Sequence, residues 1–333
     1  MTPRQLESFL SNLITHQITQ SIMIWGAPGI GKSSIVDSIA DTHSLEFIDI
    51  RLSQLAPTDL RGLPVAENGV SRWLPPEFLP TKGEGILFLD EINMAPPAMQ
   101  GVAQQLILDR KVGSYTVPDS WFIWAAGNRK EDRASVFEMP APLANRFIHL
   151  EIEPDFDSFK SWALRAGVHE EIIAFLNYRT TLMHKVDKNN HAWPSPRSWV
   201  MASNLHFASL EISGCVGKGV SAEFQAFSKL FAKMPDVQTI VDGNGEPKFP
   251  TEPSMCYAMV IALVTRSKTG LQALNALKYL IKNAPSEWCQ LYAIDAIPLL
   301  RSSGKIMELV KLTKQEPVLQ DFMTRFKSLM KLS

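Results

Sequence analysis

Eight residues near the start of the chain have the types and spacing of a phosphate-binding loop. Gly26–Ser33 reads G-A-P-G-I-G-K-S and follows an apolar run, Ile22–Trp25. If that run is a buried strand, the loop's backbone N–H groups can surround a polyphosphate at the start of the next helix, where the dipole favours negative charge. Lys32 can then reach the terminal phosphates, and the Ser33 hydroxyl can bind Mg²⁺. A chance glycine turn is the alternative. The predicted nucleotide contacts are Gly26, Ala27, Pro28, Gly29, Ile30, Gly31, Lys32, Ser33 and Ser34.

Two adjacent acids follow a later apolar run. Ile86–Leu89 is followed directly by Asp90 and Glu91. Ligands of open α/β sheets bind at the carboxyl ends of the strands. Asp90 is therefore predicted to hold Mg²⁺, and Glu91 to polarise an attacking water. The alternative is that these acids only cap a helix. Behind a phosphate loop, they predict hydrolysis of a nucleoside triphosphate as well as binding.

An amide at the end of another apolar run is a candidate for orienting the water. Asn128 follows Trp121–Gly127. On a strand beside the acid-bearing one, its side chain would lie between Glu91 and the terminal phosphate. The alternative is an Asx turn, because Gly-Asn is a good turn pair.

Arg146 lies just before the last predicted strand of this half of the chain, a place that suits the edge of a subunit. A guanidinium offered in trans to a neighbour's nucleotide stabilises charge in the transition state and contributes on the order of a thousandfold in rate. An ion pair with Glu151 is the alternative. Arg129 and Arg133 are rivals for the same role.

A third arginine is predicted at the start of a helix. Ser195 fits the N-cap position and Pro196 the first turn. Arg197 would then oppose the local helix dipole, which an anion such as a phosphate would compensate. An ordinary exposed arginine is the alternative.

The elements that must position these residues fall into two regions. Strands interleaved with helices predict a mostly parallel sheet with helices on both faces, an α/β core over residues 1–153. Residues 154–333 carry helix-spaced apolar residues throughout and predict an all-helical region, with a surface loop at 235–253. The predicted buried strands are Ile22–Trp25, Phe47–Arg51, Ile86–Leu89, Trp121–Ala126 and Ile148–Ile152. The predicted helices of the second region include 155–164, 170–178, 224–231, 255–264, 271–280, 306–312 and 319–330.

Composition excludes several classes of protein. The chain has 333 residues, of which 45% are hydrophobic and 20% charged, with a formal net charge of −1. This is typical of a soluble globular protein and lacks the overall basic charge of nucleic-acid binders. The three cysteines show no metal-binding spacing, and no apolar run could span a bilayer. A cytoplasmic protein without a signal peptide is expected.

In this order, these motifs resemble those of an AAA+ ATPase. Gly26–Ser33 and Leu87–Glu91 look like its Walker A and Walker B motifs. Asn128, Arg146 and Arg197 look like sensor 1, the arginine finger and sensor 2. Two inserts, at about 52–80 and 109–118, resemble the hairpins of the MoxR-type branch. In the first, Asn68-Gly69 between two valines is a good hairpin turn.

The resemblance implies a P-loop AAA+ core followed by an all-α lid, here with a helical C-terminal extension. It implies an ATP hydrolase that uses ATP and Mg²⁺ and forms a homo-oligomeric ring, most often a hexamer. It further implies a chaperone that remodels or activates a client, commonly a protein with a von Willebrand A domain. Arg197 in the lid and Arg146 from the neighbour would close the site.

A nucleic-acid motor or loader is the alternative function, since rings with the same inserts also act on duplexes. Basic residues at the inserts would serve it, namely Arg61, Arg72, Arg110 and Lys111. The near-neutral charge, the acid Glu67 and the lack of a recognisable DNA-binding module argue against it. A GTP-using motor is a third possibility, but the chain has no guanine-reading N-K-x-D motif.

Overall fold

The computed structural model describes residues 1–129, 136–187, 189–313 and 316. The chain divides into two units, Met1–Asp155 and Phe156–Ser333. The strands are β1 (Ile22–Trp25), β2 (Glu46–Arg51), β3 (Leu63–Glu67), β4 (Val70–Leu74), β5 (Gly85–Asp90), β6 (Lys111–Val112), β7 (Tyr115–Thr116), β8 (Trp121–Gly127) and β9 (Ile148–Glu151). The helices of the first unit are α1 (Pro3–Thr15), α2 (Lys32–Thr42), α3 (Pro57–Arg61), α4 (Pro97–Asp109) and α5 (Ala141–Ala144).

Five strands of the first unit form one parallel sheet in the order β2-β5-β8-β1-β9. Alternate residues of these strands enter two separate cores, as the period of two requires. Met23 and Leu87 pack with α4 on one face, whereas Ile24 and Phe88 pack with α1 and α2 on the other. The predicted parallel α/β sheet, with helices on both faces, is confirmed.

Two of the predicted buried strands lie at the edges of the sheet and are largely exposed. Only Ile50 is buried in β2 and only Leu150 in β9. A strand with a neighbour on one side alone is less covered than a central one. The prediction of burial was therefore wrong for β2 and β9 and right for β5 and β8.

Both predicted inserts contain antiparallel hairpins. In the first, β3 and β4 pair across a turn at Asn68 and Gly69, whose φ angles of 52° and 80° are those of a type I′ turn. In the second, β6 pairs with β7. The hairpins are joined because the Ser114 hydroxyl donates to the carbonyl of Trp73.

The second unit is helical throughout its described residues. Its helices are α6 (Phe156–Ala166), α7 (Glu170–Tyr178), α8 (Pro196–Phe207), α9 (Ser213–Val216), α10 (Lys218–Phe231), α11 (Val237–Val241), α12 (Pro253–Arg266), α13 (Gly270–Asn283), α14 (Ser286–Ser302) and α15 (Ile306–Thr313). A buried ion pair, Lys160 to Asp295 at 3.0 Å, joins α6 to α14. The predicted helix at 319–330 lies outside the described residues.

Sequence reasoning missed three helices of this unit, of which α9 has only four residues. The segment predicted as a loop contains α11, in which Val237, Ile240 and Val241 are buried. Their i, i+3, i+4 spacing was the available signal. The long helix α14 was not predicted, and it contains Pro298.

All three cysteines are free and buried. Among the described residues, we find no helix with the length and apolarity needed to cross a bilayer.

Candidate nucleotide site

The phosphate loop lies between β1 and α2, as predicted. Gly29 and Gly31 have φ angles of 78° and 96°, and Gly31 is the N-cap of α2. Because Gly31 provides no side-chain cap, the first amides of α2 have no side-chain partner there. The N-terminus of this helix is thus suited to an anion.

Lys32 is buried in the centre of the site. Its side chain is 8% exposed, and Nζ donates to the carbonyls of Gly26 at 2.8 Å and Ala27 at 3.2 Å. Nζ also donates to Oδ1 of Asn128 at 3.0 Å. The structure therefore brings together the phosphate loop and the end of β8.

Ser33 and Asp90 form the candidate Mg²⁺ site. The Ser33 hydroxyl donates to Oδ2 of Asp90 at 2.8 Å. The other oxygen of Asp90 accepts the backbone N–H of Glu91 at 2.8 Å. A hydroxyl beside an oriented carboxylate is the donor set that Mg²⁺ takes together with phosphate oxygens, so these two residues fit the ion.

Glu91 follows β5 in an unusual backbone conformation. Its φ of 55° lies in the left-handed region, and a short 3₁₀ turn, Ile92–Met94, comes next. Its carboxylate accepts the hydroxyl of Ser53. Nearby, burial and then the charge of Asp90 raise the pKa of Asp49 above its ordinary value. Asp49, Asp90 and Glu91 thus lie near one another in this part of the sheet.

Asn128 is held in place by Asn93. Nδ2 of Asn93 donates to the Asn128 carbonyl at 2.7 Å, and Oδ1 of Asn93 accepts the Asn128 N–H at 3.2 Å. A Cβ at Gly127 would lie 2.6 Å from that Oδ1, so glycine is required for this approach. The two contacts orient the backbone of the predicted sensor residue.

Arg146 lies away from these groups. It is exposed and precedes β9, whose first residue, Ile148, pairs with Ile22 at the start of β1. The phosphate loop follows the opposite end of β1. Within the described part of the first unit, no ion pair joins Arg146 to Glu151.

His149 connects the Arg146 segment to the phosphate loop's strand. Its Nδ1 accepts the indole N–H of Trp25 at 2.8 Å, and Nε2 lies 2.7 Å from the carbonyl of Ala144. Because an indole can only donate, Nδ1 is the acceptor and Nε2 carries the proton. One imidazole therefore links the residue before Gly26 to a residue two positions before Arg146.

The rival arginines have different surroundings. Arg129 forms an ion pair with Glu153 at 2.6 Å in its own unit. Arg133 lies outside the described residues. In the second unit, Ser195 caps α8 by accepting the Ser198 N–H at 3.1 Å, as predicted, and Arg197 is exposed in the first turn.

The structure thus gathers Lys32, Ser33, Asp90, Glu91 and Asn128 at one edge of the sheet. It does not bring Arg146 there. Ser53 and Asn93 were not predicted to take part. Asn93 lies two residues after Glu91, a weak signal, whereas Ser53 could be found only by knowing that β2 pairs with β5.

Residues 21–147 match the family described as AAA domain (dynein-related subfamily). This segment is similar to AAA domains, and the match spans less than half of the chain. A curated relative, midasin of Giardia intestinalis, is 30% identical over 143 residues. That alignment covers 40% of this chain and only 3% of the length of midasin.

Solved structures resemble the chain more distantly. NtrX from Brucella abortus in complex with ADP is 16% identical, with 98% of this chain and 68% of that chain covered and a TM-score of 0.42. A RuvB variant from Thermotoga maritima is 13% identical, with 84% and 85% covered and a TM-score of 0.39. Neither likeness extends to a substrate or a partner.

Proposed function

We propose that this chain is a Mg²⁺-dependent ATPase that assembles into a ring, most simply a hexamer, and remodels or activates a partner protein. The proposal rests on one observation. Lys32 follows the carboxyl end of β1, whereas Arg146 precedes the amino end of β9, the parallel strand beside it. The AAA domain therefore has phosphate-binding and hydrolytic groups at one edge, and an exposed arginine at the other.

The groups around Lys32 suit the chemistry of phosphoryl transfer. Lys32 would exchange its bonds to the loop carbonyls for phosphate oxygens. Ser33 and Asp90 would hold Mg²⁺. When bound, this ion neutralises part of the negative charge of the phosphates. Glu91 would orient and polarise a water, and Asn128, adjacent to Lys32, would fix that water relative to the phosphate.

Arg146 supports a site shared between subunits. The four residues of β9, at about 3.3 Å each, put roughly 13 Å between the Arg146 end of the strand and the phosphate-loop end. That is beyond the reach of an arginine side chain. An exposed guanidinium at the other end can serve a neighbouring copy, in which it would stabilise transition-state charge.

The hairpin β3–β4 supports a protein client. Leu63 and Leu74 are directly opposite each other, yet they are 72% and 56% exposed, and Val70 near the turn is 57% exposed. Three exposed apolar side chains on one hairpin suit a protein-binding surface. Glu67, exposed beside the turn, is an acid of the kind that the metal site of a von Willebrand A domain binds. We propose such a domain as the partner.

A nucleic-acid motor has less support from the same inserts. The guanidinium of half-buried Arg110 donates to the carbonyls of Pro118 at 2.7 Å and Trp121 at 2.6 Å, so it holds the second insert together. Burial lowers the pKa of Arg110 from its ordinary value. Arg110 is thus engaged within the chain, whereas Arg72 forms only a weak, exposed ion pair with Glu67 at 3.4 Å.

The experiment that tests the proposal is capture on the Glu91→Gln variant in ATP and Mg²⁺, from lysate of the natural source. Material is identified by mass spectrometry with and without nuclease. We expect a protein with a von Willebrand A domain, insensitive to nuclease and absent from a Lys32→Ala control. The unpaired, buried cysteines suit a reducing cytoplasm, so a cytoplasmic extract is the appropriate source.

A matched variant tests the surface. Leu63→Ser with Leu74→Ser changes only exposed side chains, so it should keep ATP hydrolysis and lose the captured partner. Nuclease-sensitive recovery of nucleic-acid proteins, with ATPase stimulation by DNA, would instead establish the motor function.

A further inference from the structure

Two histidines and a glutamate converge in the helical unit, apart from every residue used above. His169 is the N-cap of α7, Glu171 is in its first turn, and His206 is in the last turn of α8. Nε2 of His206 lies 3.2 Å from Oε2 of Glu171. One ligand atom from each of the three residues lies within 4.8 Å of the other two.

The surroundings of the cluster hold the side chains in place. The Ser228 hydroxyl, on α10, donates to Oε2 of Glu171 at 2.6 Å. The His206 ring packs edge-on against Phe224 with centroids 5.0 Å apart. The His206 and Glu171 side chains are 20% and 18% exposed. In metal sites, groups that do not touch the ion commonly orient the residues that do. Here a hydroxyl orients the carboxylate, and packing orients the ring.

We propose that His169, Glu171 and His206 bind Zn²⁺. Two imidazoles and one carboxylate are a zinc ligand set that leaves the fourth position open. Ligand atoms around tetrahedral zinc are about 3.4 Å apart, close to the 3.2 Å between His206 and Glu171. The imidazole of His169 must move closer to the other two ligand atoms, which requires small side-chain rotations.

An open cavity adjoins the cluster. It has a volume of about 260 Å³ and is lined by His206 and Ser228 on the cluster side and by Glu211 and Lys229 on the other. It gives water access to the His206 side of the cluster.

Zinc binding to this cluster requires one existing hydrogen bond to break. Nδ1 of His169 accepts the Glu171 backbone N–H at 3.2 Å, which caps α7. A zinc ion at this nitrogen replaces that bond, and one at Nε2 requires the proton to be on Nδ1 instead. The bound ion would link α7 to α8 directly and, through Ser228, to α10. The consequence is a stiffer helical unit.

The test uses the full-length protein, stripped with EDTA and titrated with ZnCl₂ in the presence of Mg²⁺ and ADP to occupy the AAA domain. Calorimetry and metal analysis after dialysis should give one Zn²⁺ per chain, and Co²⁺ should give the visible absorption of a tetrahedral site. His206→Ala removes a direct ligand and should weaken binding by more than the roughly 10- to 100-fold that a supporting contact contributes.

Three further variants separate a metal site from a plain hydrogen-bond network. Ser228→Ala should weaken zinc binding by roughly 10-fold. His191→Ala, an exposed histidine of the same unit, should change nothing. His206→Gln keeps a donor to Glu171 if His206→Ala fails to fold, and it should still lose zinc. Wild-type protein that binds no Zn²⁺ at micromolar concentration, or His206 variants that bind it equally, would overturn the proposal; it does not depend on the proposed function.

Discussion

Lys32 and Asn128, separated by 96 residues in sequence, are joined by a 3.0 Å hydrogen bond between Nζ and Oδ1. The bond joins the first residue of α2, which follows β1, to the residue that follows β8, and β1 and β8 are adjacent in the sheet. In the proposed mechanism, Lys32 exchanges its bonds to the loop carbonyls for phosphate oxygens and keeps its bond to Asn128. Nucleotide binding at Lys32 would then act on the end of β8 through this hydrogen bond.

Lys32→Ala should abolish nucleotide binding. The variant loses the one buried ammonium of the described phosphate loop. Losing two charged hydrogen bonds to phosphate should weaken the affinity for nucleotide by about 100-fold or more. Anisotropy of labelled ATP measures the change. Lys82→Ala, an exposed lysine of the same unit, is the control, and tight binding by Lys32→Ala would disprove the assignment.

Glu91→Gln should retain ATP binding and lose turnover by about 100- to 10,000-fold, the usual contribution of a general base. Ser53→Ala, which removes the donor to the Glu91 carboxylate, should lower kcat by a smaller factor of about 10 to 100 without changing the Kd for ATP. Steady-state kinetics together with ATP binding separates the two effects. If Ser53→Ala weakens ATP binding instead, Ser53 acts on the fold of the site and not on Glu91.

Arg146→Ala should reduce ATP hydrolysis on the order of a thousandfold. Mixing it with Lys32→Ala subunits should partly restore activity, because an intact phosphate loop then meets an intact arginine across a subunit boundary. Arg129→Ala, which removes the ion pair to Glu153, should have a small effect. An Arg146→Ala protein that hydrolyses ATP normally as a dilute monomer would rule out the shared site.

Asn93→Ala should lower kcat while leaving ATP affinity nearly unchanged. The variant leaves the backbone N–H and C=O of Asn128 buried without partners, which costs about 1–3 kcal/mol of stability. Gly127→Ala should give the same kinetic defect, because the added Cβ would clash with the Asn93 amide and displace it from the Asn128 backbone. Thermal unfolding with kinetics checks both, and normal kcat in the two variants would exclude a positioning role for Asn93.

His149→Ala should lower the ATPase rate of the assembled enzyme by about fivefold, the equivalent of one lost hydrogen bond of about 1 kcal/mol. ATP binding to the dilute protein should not change, since His149 contacts neither the nucleotide loop nor the acids. Trp25→Phe keeps the stacked ring and removes only the donor, so it should show part of the defect. An unchanged rate in both variants would show that His149 does not position the Arg146 segment.

Several features were predictable because their physics is local. The glycines and Lys32 of Gly26–Ser33, the β3–β4 turn at Asn68-Gly69 and the Ser195 cap of α8 all depend on neighbours within a few residues. The core strands β5 and β8 were recognisable as apolar runs because both of their faces are covered. Such patterns were enough to predict the parallel sheet and the placement of Asp90 and Glu91 at its carboxyl edge.

Exposure and long-range partners were decided only by the tertiary structure. The apolar runs of β2 and β9 do not show that each strand has one neighbour. The pairing of β2 with β5 brings Ser53 to Glu91, and the absence of a Cβ at Gly127 admits Asn93 to the Asn128 backbone. By itself, the sequence determined which residues can do the chemistry. Strand order and close packing, which depend on contacts distant in the chain, decided which of them meet and which other residues hold them there.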